Sequence, residues 1–198
     1  SEESFKIYVK HIKYLLLFNL VCILGWMNCS VQKSNTEKTL DIGTPFQGGI
    51  VFYLFQEGDN GYRLGELHGL IAATEDQATE IEWGCYGTQI KGANRTVIGT
   101  GAQNTLAILS DCNEIEIAAR VCAELVLAGY DDWFLPSKDE LNLLYLNKDM
   151  ITSLGDFFYW SSTGYGGFNG WGQDFFSGYQ YGNFDEYGYG YVRAIRTF

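Results

Sequence analysis

The segment from Gly164 to Tyr191 limits what this chain can fold into more than any other. Its side chains come almost entirely from Gly, Tyr, Phe, Asn, Asp and Ser, and it contains no Lys, Arg, Leu, Ile, Val, Ala or Met. A buried core strand would draw on branched aliphatics, and a flexible linker would lack the aromatics. The composition is that of an antibody-like binding surface, where Tyr supplies contact area at low entropic cost and Gly, Ser and Asn adapt around it. Within the segment Trp171, Gln173 and Phe175 alternate with Gly172, Asp174 and Phe176, the period of a strand with two distinct faces. Gly178 and Gln180 then alternate with Tyr179 and Tyr181, so the parity slips after Phe176 and predicts a turn or bulge there. The first set reads as scaffold, with Trp160, Trp171 and Phe175 expected in the core. The second set reads as free of packing constraint.

The rest of the chain sets the context. Its 198 residues suffice for one hydrophobic core. Thirteen Lys and Arg against 24 Asp and Glu leave a net charge of −11, with the basic residues scattered, which argues against nucleic acid as a partner. Near the start, Lys6, Lys10 and Lys13 precede an apolar run from Tyr14 to Met27, the pattern of an export signal, and Cys29 follows as the expected lipidation site. Residues 1–29 are read as a lipoprotein-like signal segment and 30–45 as a polar tether. The globular domain is expected over 46–198, with the unusual segment occupying about 164–191. The exported chain is expected to be a cell-surface lipoprotein or a secreted protein, touching membrane only through that lipid anchor.

Strands are predicted at Ile50–Phe55, Leu70–Ala73, Trp133–Pro136 and Val192–Phe198, and an ordered loop at Trp83–Gly101. Helices are predicted at Asn104–Leu109, at Glu114–Leu127 with Gly129 stopping it, and at Lys138–Asn147 behind the capping box Ser137–Glu140. The order of elements is that of an α+β domain with two to three helices and a Gly/Tyr-rich β-loop tail. Cys85, Cys112 and Cys122 permit one bridge and one free thiol, with the pairing open and no zinc-site spacing among them. Arg193 and Arg196, in the apolar final strand, are expected to be partly buried scaffold groups paired with carboxylates or carbonyls.

Several runs together resemble the bacterial Lcl C-terminal-like domain family. They are Gly48–Tyr53, His68–Ala73, Ile98–Thr105, Gly129–Leu141 (GYDDWFLPSKDEL), Tyr159–Thr163 (YWSST) and Val192–Arg196. The resemblance implies a fold similar to C-type lectins, with mixed and antiparallel sheets. It also implies kinship with variable proteins of diversity-generating retroelements, whose C-terminal codons are rewritten at adenines. Template codons AAC and AAT mutate into a set that includes Tyr, Phe, Asn, Asp, Ser and Gly, the residues at the free positions here, Gly172, Gly182 and Gly190 among them. Glu186 departs from that set.

The expected function is recognition of a protein or glycan on another cell or on a phage or host surface. The expected contacts are Tyr165, Phe168, Asn169, Asp174, Phe176, Ser177, Tyr179, Tyr181, Asn183, Phe184, Asp185, Tyr187 and Tyr189. The alternative is a fixed lectin-like adhesin. No cofactor or metal is expected, because the Glu-Pro-Asn and Gln-Pro-Asp triplets of calcium-dependent lectins are missing. Catalysis is not expected either. Past the signal segment His68 is the sole histidine, no G-x-S-x-G elbow occurs, and no cysteine follows Cys122, unlike the formylglycine-generating enzymes of related fold.

Overall fold

Strand β3, Gly69–Ala73, is buried at every residue, as a run of Gly, Leu, Ile and Ala must be when both its faces are covered. A computed structural model describes residues 40–85, 87–151, 153–182 and 188–198. The signal segment with Cys29, and the tether up to residue 39, lie outside the described residues. Leu40–Phe198 forms one compact unit. In it β3 lies between β2 (Gly49–Leu54) and the C-terminal β9 (Ile195–Thr197), with β1 (Pro45–Phe46) outside β2, all antiparallel.

A second sheet has the order β4-β8-β5-β6-β7. Its members are β4 (Ala78–Glu82), β5 (Phe158–Tyr165), β6 (Asn169–Asp174), β7 (Gln180–Tyr181) and β8 (Tyr189–Val192). All neighbours are antiparallel except β5 and β8, which meet in parallel at the single pair Tyr159–Tyr191. Helices α1 (Gly101–Asp111), α2 (Ala118–Ala123) and α3 (Lys138–Leu146) complete the fold, with a 3₁₀ turn at Lys148–Met150. Among the described residues the architecture is α+β, with two sheets and three helices. Among the described residues no helix is long and apolar enough to cross a membrane.

The core has two parts. One gathers Val51, Ile71, Trp83, Ile108, Ile117, Cys122, Trp160 and Val192, and the other gathers Phe52, Leu70, Leu141, Leu144, Tyr159, Phe175 and Ile195. The buried Tyr-Trp-Ser-Ser-Thr run of β5 joins them through polar links. Trp160 Nε1 donates to the Ile81 carbonyl at 2.9 Å, and Trp83 Nε1 donates to the Ser161 carbonyl at 2.8 Å. The Ser162 amide donates to the Pro136 carbonyl, and Lys138 N donates to Thr163 Oγ1. The Ser161 and Thr163 hydroxyls donate to the Trp171 and Arg95 carbonyls, which makes their burial tolerable, while the buried Ser162 hydroxyl has no hydrogen-bond partner among the described residues.

Four expectations are corrected. The helix read over Glu114–Leu127 is only Ala118–Ala123, because Ile117 adopts an extended backbone and bridges Glu82 of β4. Upstream, Arg120 ties the chain down through the Cys112 and Glu114 carbonyls, and downstream Leu127 and Tyr130 close a turn over Ala128 and Gly129, both at positive φ. Ile115 and Val126, counted in the apolar stripe, are exposed. The first helix is longer than read: it starts at Gly101, where a Cβ would collide with the Glu140 carboxylate and with backbone atoms of Leu135 and Ser137. The Val192–Phe198 strand is two strands in different sheets, broken at Arg193–Ala194. Trp133–Pro136 contributes only a bridge, Phe134 to Ile195. Strand β4, with two glutamates in five residues, went unread.

The break between β8 and β9 has a physical cause. The fully buried Arg193 guanidinium pairs with Asp76 at 2.7 Å and donates to the carbonyls of Ala73 (2.8 Å) and Ser153 (2.7 Å). Tyr159 donates its hydroxyl to the same Asp76, and burial raises the phenol pKa. Arg196 pairs with Asp132 and Gln47 and lies 3.9 Å above the Tyr130 ring centroid. Both arginines are therefore scaffold groups paired as expected. Cys85 is bridged to Cys112, and Cys122 is a buried free thiol whose pKa burial raises.

Candidate ligand-binding surface

The β5–β6 hairpin and β7 carry most of the predicted contacts, and register decides where each side chain goes. Gln173 pairs with Gln180, and Gly172 with Tyr181. Directly opposed residues share a side of the sheet, so Gln173 and Gln180 face one way and Gly172 and Tyr181 the other. The first side is covered by α3. There Gln173 donates to Asn142 Oδ1 at 2.9 Å and to the Gly178 carbonyl, and Gln180 donates to the Lys138 carbonyl at 2.9 Å. The buried Gln173 thus clamps hairpin to helix.

At the start of α3 the same side opens into an aromatic platform. The half-buried Trp171 meets the Tyr165 ring edge-on at 5.3 Å, and Lys138 Nζ lies 4.6 Å from the Trp171 centroid. Tyr165 also covers Gly182, where a Cβ would overlap its ring. Trp171 is therefore not a core residue as expected: half-buried, it lies beside the first turn of α3, on the rim. Lys138, with no signal in the composition of the tail, joins the rim because the capping box places the first turn of α3 beside β6.

On the opposite side, Tyr179 and Tyr181 are exposed and meet edge-on at 6.5 Å. The predicted turn between β6 and β7 is present, with Gly178 at φ 81°. Asp174 holds it, accepting from the Phe176 amide (2.9 Å) and the Ser177 hydroxyl (2.6 Å), while Phe175 is fully buried against Tyr145 and Tyr159. Asp174 and Ser177 are thus engaged within the turn, and Phe176 beside them is 78% exposed.

Of the predicted contacts within the described residues, Tyr165, Phe168, Asn169, Phe176, Ser177, Tyr179, Tyr181 and Tyr189 are exposed, and Asp174 is half-buried. They do not form one flat face. Tyr165, Phe168 and Asn169 gather at the β5–β6 turn, Phe176 and Ser177 at the β6–β7 turn, and Tyr179 and Tyr181 along β7, the last strand of the sheet among the described residues. Tyr189 is set apart on β8, separated from β7 by β5 and β6. Asn183, Phe184, Asp185 and Tyr187 lie outside the described residues.

Three of the free positions are corrected. Gly172, Gly182 and Gly190 are buried. A Cβ at Gly172 would overlap the Phe158 ring and the Tyr159 carbonyl oxygen, and one at Gly190 would lie 2.7 Å from Trp160 Nε1. Phe158 and Trp160 pack edge-on at 4.9 Å, so neither ring has room to yield.

Comparison with curated proteins finds no match. Residues 72–196, from within β3 to within β9, match the family described as the Lcl C-terminal domain, and since that match spans more than half of its length the chain belongs to this family.

Proposed function

We propose that this is an exported recognition protein whose C-terminal rim of tyrosines, phenylalanines and asparagines binds a protein or glycan on another surface. The observation that carries it is the match between composition and exposure. Residues of the scaffold set, Gln173 and Phe175, are buried, while their neighbours drawn from Tyr, Phe, Asn and Ser are exposed without packing the core. Exposed aromatics of that kind are anchors in search of a partner surface. Membership of the Lcl C-terminal domain family is compatible with a surface-associated, adhesin-like role. The Cys85–Cys112 bridge suits an oxidising compartment, in keeping with export and anchoring through Cys29. The role is binding rather than catalysis: His68, between the Phe198 carbonyl (2.9 Å) and Glu66 (2.7 Å), is engaged in tying the chain end to β3.

The finer reading is a C-type-lectin-like domain diversified by a retroelement at its exposed rim. The experiment is to sequence the locus and its flanks, together with several isolates. A near-copy of the last coding segment that differs at adenines, beside a reverse transcriptase gene, is the expected result. Isolates should vary at codons such as those of Phe168, Phe176, Tyr179 and Tyr181 and keep Gly172, Gly190 and Gln173. Invariance of the rim, or variation at the buried glycines, overturns it. The Trp171–Tyr165–Lys138 platform favours one alternative, a fixed site that stacks a sugar ring without metal, and an invariant rim codon set is what that reading requires.

A further inference from the structure

A second opening lies in the same sheet, away from the hairpin. Ala78 pairs with Val192 and Ile81 with Gly190, so Thr79 and Glu80 of β4 together oppose the single residue Tyr191. Two residues against one is a β-bulge, a device that re-aims side chains out of a ladder. On the other flank of β8, ladder pairing with β5 is the single pair Tyr159–Tyr191, and Phe157, just ahead of β5, lies against Tyr191 rather than in the ladder. The result is a cleft of about 360 Å³ between the bulge and the start of β5.

Its chemistry is lopsided. Phe157 stacks face to face on Tyr191 at 4.1 Å, with rings 4° from parallel, yet Phe157 remains 46% and Tyr189 53% exposed. Phe158 and Gly190 complete the apolar part, and Thr79 and Glu80 supply the polar part. Glu82 sits opposite Tyr189 on the adjoining strand. The basic groups nearest in sequence are committed elsewhere, Lys148 to Asp156 and the Phe175 carbonyl, and Arg193 to Asp76. Among the described residues, no Lys or Arg lines the cleft. Exposed aromatic rings beside a carboxylate, on a chain of net charge −11, complement a flat cation. A guanidinium can lie along the rings while its N–H groups reach Glu80, a combination an ammonium satisfies less well.

We propose that this cleft receives an arginine side chain presented by a partner protein, as an anchor point separate from the hairpin rim. The site does not depend on diversification of the rim; the recognition reading supplies only the partner.

The test is an amide-shift NMR titration of the full chain with N-acetyl-arginine methylamide. The comparison ligands are the citrulline analogue, of like shape but uncharged, and the lysine analogue. Saturable binding of arginine with a Kd in the millimolar range is expected, with shifts centred on Thr79, Glu80, Phe157 and Tyr189. Citrulline should bind at least about fivefold more weakly, and Glu80→Gln should weaken arginine by a similar factor while leaving the spectrum otherwise folded. The double variant Tyr179→Ala/Tyr181→Ala should leave the arginine Kd unchanged, which keeps this result separate from the fate of the rim. Unsaturable shifts, equal binding of citrulline, tighter binding of lysine, or shifts centred elsewhere would each overturn the assignment.

Discussion

Glu140 shows how one residue can hold three segments together. Its carboxylate accepts from the amides of Gly99 and Ser137, each at 2.7 Å, and from Gly101, so it ties the loop before α1 to the start of α3. The side chain is fully buried, and burial raises its pKa to about 7 despite those three donors. The folded state therefore holds the Glu140 proton more tightly than the unfolded chain does. Stability from this group is present below the unfolded pKa and is lost as pH rises through about 7. The loss is on the order of 3 kcal/mol across that window. Urea denaturation at pH 5 and pH 8 checks this: the wild type should lose markedly more stability between them than Glu140→Gln does. Equal slopes in the two proteins would refute it. The Ser137–Glu140 capping box was legible in sequence, since its spacing is local. That the same carboxylate also reaches back to Gly99 was not, because the segments lie 41 positions apart.

At the scale of elements, the β6–β7 pair separates positions that composition alone treats as equivalent. Tyr179 and Tyr181 meet edge-on and stay largely exposed, outside both core clusters, so Tyr179→Ala/Tyr181→Ala should cost less than about 1 kcal/mol of stability. Gly172, opposite Tyr181 in the ladder, has the Phe158 ring and the Tyr159 carbonyl where a side chain would go. Gly172→Ser should cost about 1–3 kcal/mol or more through overpacking. Urea midpoints of the two variants measured side by side decide the matter, and a Gly172→Ser protein as stable as wild type would refute the division. The turn after Phe176 was legible because a parity slip in a period-two pattern needs an extra residue. Helix α2 was over-read for the converse reason: Ile115, Ala118, Cys122 and Val126 fit a helical stripe, but a strand edge at Glu82 claims the backbone of Ile117, between the first two. A periodicity reports which residues are apolar, not which neighbour arrives to cover them.

At the scale of the molecule, the Cys85–Cys112 bridge links the loop after β4 to the end of α1 across 27 residues. That segment holds the long loop before α1, which is also tied to distant backbone, Ile90 to Gly167 and Arg95 to Asn104 and Thr163 among the contacts. Cys85→Ser/Cys112→Ser should lower the unfolding free energy by about 3–4 kcal/mol, measured by chemical denaturation without reductant. A loss well under 1 kcal/mol would show that the loop is held by packing alone. The sequence by itself determined the α+β class, the capping box, the turn in the tail, the burial of both arginines and the family. Each is written in local spacing, in a composition, or in the rule that an apolar strand cannot leave a guanidinium unpaired. The tertiary structure alone decided which cysteines pair, that the last strand divides between two sheets, that Trp171 belongs to the rim, and that Gly172 and Gly190 have no room for a side chain. Those outcomes depend on which distant backbone lies across the sheet, and no window of sequence contains that neighbour.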